Sequence, residues 1–104
     1  MAAGWPSPPR IYTGDDPNII PPLAINQALP SFRGVNQVQR VGRIEVIIDE
    51  AGVVESAVMN VSVTSAYDKL AIAAARNWRY TPATVNGVPV KFRKVVQITV
   101  KATS

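Results

Sequence analysis

Residues 42–49 read Gly42-Arg43-Ile44-Glu45-Val46-Ile47-Ile48-Asp49. Ile44, Val46 and Ile48 share one face and Arg43, Glu45 and Asp49 the other, the period of two expected of a half-buried strand. Asp49-Glu50-Ala51-Gly52 then supplies a turn acceptor and a glycine able to take positive φ, and a β-rich run from Val53 to Val63 follows at once. Strand, turn and strand predict a β-hairpin.

Downstream, Thr64 and Ser65 suit a helix N-cap and Asp68 falls in the first turn, where a carboxylate complements the helix dipole. The spacing predicts a helix over 67–78 that turns Tyr67, Leu70, Ala71, Ala74 and Trp78 toward the sheet, with Ile72 off that stripe and under the amino-terminal segment. Thr81-Pro82 ends it, because proline cannot donate to the helical ladder and disfavours α geometry in the residue before it. Asn86-Gly87 marks a tight turn, and alternation returns from Val90 to Val100 as a third long strand.

The order strand, strand, helix, strand has a preferred solution. A right-handed crossover gives an α+β fold with a three-stranded antiparallel sheet, in the order second, first, third, and one main helix on one face. The last strand is then an edge.

Upstream of the hairpin, seven of the nine prolines fall in the first thirty residues, which biases that part toward extended or polyproline conformations. Ile19, Ile20, Leu23, Ile25, Leu29 and Phe32 are too apolar for a solvated tether, so part of it is expected to lie on the core. A short extra helical turn at 23–29, between Pro22 and Pro30, fits the same stretch.

With 104 residues there is room for one core and not for a second domain. The chain has no cysteine and no histidine, which removes disulfides, thiolate and imidazole metal ligands and the usual general base near neutral pH. The serines have no base partner, so no catalytic residue is assigned and the chain is read as a non-enzyme without cofactor or metal. Glu45, Asp49, Glu50 and Glu55 surround one hairpin and read as its solvated face, not as an acid and base pair or a cation site. No apolar run approaches the ~20 residues of a membrane-spanning helix. The net charge of +4 collects toward the carboxyl end, where Lys91, Arg93, Lys94 and Lys101 fall and no acidic residue follows Asp68. Those cations either protect an edge strand from aggregation or steer an acidic peptide toward it. Trp78-Arg79-Tyr80 offers an aromatic and basic stacking surface, but Trp78 lies on the core stripe and Arg79 points away toward a carboxylate partner, so nucleic acid is not expected as a partner.

Several motifs taken together resemble the carboxyl-terminal domain of the TonB family of energy transducers. They are the hairpin from Val41 to Val54, the Ala-rich helix with its Asp, Asn77-Trp78-Arg79-Tyr80-Thr81-Pro82-Ala83, and Val85-Asn86-Gly87-Val88-Pro89-Val90 before a closing strand. The resemblance covers roughly residues 30–101, with 1–29 as a Pro-rich, partly packed linker and 30–104 as the domain. Where family members usually carry a Tyr-Pro step and a short Ala-rich helix, Leu29-Pro30-Ser31-Phe32 and Arg33 to Arg40 stand instead, with no matching motif for that helix. The resemblance implies a periplasmic domain, tethered to the inner membrane by an upstream anchor that is absent from this sequence. It further implies docking of a short peptide segment of an outer-membrane TonB-dependent transporter as an added strand on the last strand, at Phe92, Arg93, Lys94, Val95, Val96, Gln97, Ile98, Thr99 and Val100. An alternative is a structural domain that forms a homodimer through the same edge, by strand pairing or swapping.

Overall fold

The computed structural model describes residues 10–30 and 40–100. In chain order the elements are β1 (Ile11–Tyr12), β2 (Ile19–Ile20), β3 (Ala24–Asn26), β4 (Arg40–Ile48), β5 (Val54–Val61), α1 (Ser65–Ala75), β6 (Arg79–Tyr80), β7 (Ala83–Val85) and β8 (Val88–Val100). The fold is α+β, with a single helix among the described residues.

The β4–β5 hairpin forms where the alternation places it. Asp49 closes its turn by accepting at Oδ1 from the amides of Ala51 and Val53, both at 2.9 Å. Gly52 adopts φ +82°, and a Cβ there would lie 1.9 Å from the carbonyl oxygen of Tyr80. The glycine is required on both counts, because the hairpin turn presses against the chain leaving the helix. Its carbonyl accepts from the amide of Tyr80 at 2.9 Å.

Thr64 caps α1 by accepting from the amide of Tyr67 at 3.1 Å, and Asp68 reaches back to accept from the amide of Val63 at 2.9 Å and from the hydroxyl of Ser62. Two orphan donors near the helix start are thereby satisfied. The helix packs on β4 and β5, with Tyr67, Ala71 and Ala75 inward. They join Ile44, Val46, Ile48, Val54, Trp78, Val96 and Ile98 in one core. The inward stripe thus differs from the predicted one: Leu70 is 47% exposed and Ala74 half-buried. Small alanines one above another let helix and sheet approach closely, a gain that the larger Leu70 does not offer at that position.

In the long sheet β8 lies beside β4 and β4 beside β5, and β7 and β2 continue beyond β8. The expected three strands are therefore extended. β1 also joins β8, and it does so in parallel, so the sheet is mixed where an all-antiparallel one was expected. The predicted helical turn at 23–29 is replaced by β3, which pairs antiparallel with β6 in a separate two-stranded ladder. Long-range bonds decide this: the Leu23 amide donates to Thr81 Oγ1 and the Thr81 amide to the Leu23 carbonyl, each at 2.9 Å. Three buried aromatics then hold the following residues. The indole N–H of Trp78 donates to the Ala28 carbonyl at 2.7 Å, the Tyr67 hydroxyl to the Pro30 carbonyl at 3.0 Å, and the Tyr80 hydroxyl to Gln27 Oε1. Residues 31–39, where the resemblance lacks its first helix, lie outside the described residues.

Candidate functional site

β8 has two sides of unequal completeness. On one side Phe92 to Val100 pair without interruption with Ile48 to Arg40. Residues 88–90, before the β4 ladder begins, pair with β7 through a tight turn at Asn86 and Gly87, both at positive φ, and the side away from β4 is met by β1. β1 then covers the next two positions, with Ile11 opposite Lys91 and Tyr12 opposite Phe92. Beyond Phe92 no strand among the described residues pairs with that side. Among the described residues, the backbone donors and acceptors that 93–100 turn to that side have no strand partner, over roughly 27 Å at about 3.4 Å per residue.

The site is shorter than the sequence reading, which began it at Phe92 and made the whole last strand an edge. Phe92 is only 5% exposed and is flanked by Ile48 and Tyr12, so β8 is paired on both sides at that residue. Past it, Val96 and Ile98 are buried on the core face, with Lys94 and Val100 half-buried. Arg93, Val95, Gln97 and Thr99 are exposed on the opposite face. The faces alternate as the period of two requires, which leaves the backbone itself as the accessible feature.

The cations around the strand differ in availability. Lys91 Nζ donates to Glu55 Oε1 at 2.6 Å, and this bond, together with the nearby carboxylates, raises its pKa. Lys91 therefore belongs to the hairpin and departs from the expected role in steering. Arg93 Nε lies 3.6 Å from Glu45 Oε2 while remaining half exposed. Lys101 lies outside the described residues.

The other outer strand, β5, has a different character. Its register with β4 shifts twice, between the pairs Arg43–Val61 and Ile44–Met59 and between Ile47–Ser56 and Ile48–Val54. Asn60 and Glu55 are the extra residues, one at each bulge. Bulges twist an edge away from foreign strands and break the spacing of its donors and acceptors. The β4–β8 ladder carries no such shift.

The aromatic and basic motif is structural. Trp78 is 1% exposed with its indole N–H satisfied, so it offers no stacking face. Arg79 Nη1 donates to the Trp78 carbonyl at 2.9 Å, a backbone partner in place of the expected carboxylate. Among the described residues no three His, Cys, Asp or Glu side chains gather as ligands for a metal ion.

A family model described as Gram-negative bacterial TonB protein C-terminal matches residues 38–101, which contain the β4–β5 hairpin, α1 and the whole of β8. The chain belongs to this family. The TonB match begins just before β4, so β1, β2 and β3 all lie outside it. No curated protein and no solved structure matches the chain. The TonB family comprises protein-interaction domains of energy transduction, which sets the open side of β8 in the context of binding.

Neither the edge's limits nor the β1 pairing was accessible to sequence reasoning. Ile11-Tyr12 is too short to carry a period, and its partner lies some eighty positions away.

Proposed function

We propose that this chain is a periplasmic docking domain of a TonB-type energy transducer. Its β8 edge takes a short extended segment of an outer-membrane transporter as an added strand. In this reading residues 1–29 are the end of a linker packed onto a domain of residues 30–104, and the full-length protein is anchored in the inner membrane upstream. The observation that carries it is the regular, bulge-free β4–β8 ladder whose other side has no strand partner over 93–100 among the described residues. Backbone bonds to such an edge supply affinity without a deep pocket, and side chains of alternate residues supply selectivity. Arg93, and Lys94 beside it, favour a peptide with acidic residues and make the encounter rate fall with salt.

The test is titration of the isotope-labelled chain with a blocked, Glu-flanked peptide of alternating Thr and Val. Backbone shift changes running along 93–100 are expected. Changes confined to β5 or to the turn at 49–52 would overturn the reading.

The same regular edge favours one other reading, pairing with its own copy to build a homodimer. Sedimentation over a wide range of concentrations separates the two: a docking domain keeps the monomer mass, whereas a self-pairing domain shifts toward twice that mass.

A further inference from the structure

We propose that β1 is a built-in stop that sets where on β8 an incoming strand begins. The proposal rests on the docking reading above and concerns the length and register of the partner.

β1 occupies the same side of β8 as the open stretch and directly adjoins it, ending at the pair Tyr12–Phe92. The chain leaves the ladder at the next residue. The Thr13 amide donates to Asp16 Oδ2 at 2.7 Å, and the Asp16 amide returns to the Thr13 carbonyl at 3.1 Å. Arg10 pairs with Asp16 and stacks over the Tyr12 ring at 4.4 Å. Residues 10–16 thus close on themselves around one carboxylate. The chain then continues into β2, which pairs with β7. The turn is fastened at both ends to the same β7–β8 hairpin, on β8 through β1 and on β7 through β2.

An extended peptide added to β8 therefore finds its ladder open from Arg93 to Val100 and closed at Phe92. Reaching Lys91 and Phe92 requires lifting β1, with its self-closed turn, off β8 and losing the cover beside Phe92. The partner is accordingly an extended segment whose paired part matches residues 93–100, and further extended residues at the Phe92 end add nothing. A two-residue strand is a small element, but it needs only to occupy the adjoining positions to fix the register.

The experiment uses the full chain and blocked, Glu-flanked Thr/Val peptides of about four, six, eight and ten residues, with affinities from calorimetry. Affinity should rise roughly tenfold from six to eight residues and less than twofold from eight to ten, since net gains come from each bond actually formed. With the longest peptide bound, the amides of Ile11 and Tyr12 should keep their exchange protection. The double variant Ile11→Gly/Tyr12→Gly should move the plateau from eight to ten residues. If the unaltered chain gains as much from eight to ten as from six to eight, and the β1 amides lose protection, the stop is wrong while docking stands. If no peptide binds along β8, docking and stop fall together. Should the double variant fail to fold, the length series and exchange on the unaltered chain still decide.

Discussion

The two sides of β8 share one backbone and one set of side chains, yet one is finished and the other is not. On the β4 side, nine residues of β4 pair in sequence from Arg40 to Ile48. On the opposite side cover ends at Phe92, and it is supplied by β1, from a distant part of the chain. The difference teaches that the open edge is not a property of β8's own residues. It arises from what the rest of the chain brings alongside and where that cover stops.

The amino-terminal segment supplies that cover, so the largest test removes its anchor. Trp78→Ala should cost about 3–5 kcal/mol in urea unfolding, because it removes a fully buried aromatic and the bond to Ala28 together. Trp78→Phe should cost about 1 kcal/mol, isolating the lost indole bond from the packing. Equal costs for the two variants would mean that the segment is held by that bond and not by the apolar contact.

A second test strikes the finished side. Gly42 lies in β4 where a Cβ would meet Val63 Cγ2 at 2.5 Å and the Val61 carbonyl oxygen at 2.8 Å. Gly42→Val should therefore cost about 2 kcal/mol by forcing β5 away from β4. Backbone shifts should change on β5 and much less at β1, if the two sides are as independent as the ladder suggests.

Alkaline pH sharpens the comparison from the other direction. Burial pushes Tyr80 up to about 12 from its ordinary 10.0, and burial raises Tyr67 as well. Their hydroxyls stay protonated in the folded chain while those of the unfolded chain ionise from about pH 10. Unfolding then releases protons, so stability is intact below about pH 10 and falls as pH rises through about 12. Tyr80→Phe should flatten most of this fall, at the expense of the bond to Gln27 at neutral pH. The smallest effect belongs to the exposed pair of Lys91 and Glu55: Glu55→Gln should lower Tm slightly at low salt and not at all at high salt.

Much of the finished side was legible in the sequence and little of the other. The hairpin, the helix and the last strand each carry a local signal: alternation at Ile44, Val46 and Ile48, a cap at Thr64, a stop at Pro82. Leu70 misled because hydrophobicity ranks it above Ala75, whereas close approach of helix to sheet rewards the smaller residue. β1, β2 and β3 carry no period, being two or three residues long among prolines; β1 and β2 form on the distant β8 and β7, and β3 is held where Thr81, Trp78 and Tyr80 bind residues fifty or more positions earlier. The limits of the candidate site depend on that segment, and the sequence reading, which ran the edge from Phe92 to Val100, had no signal for the Tyr12–Phe92 pair.

The most direct measurement is a set of intermolecular NOEs between the labelled chain and a bound Glu-flanked Thr/Val peptide. Cross-strand contacts to residues 93–100, on the side of β8 away from β4, with none to Lys91, are the predicted result. Contacts to Val54–Val61 of β5, or a strand paired through Lys91 in place of β1, would contradict the account.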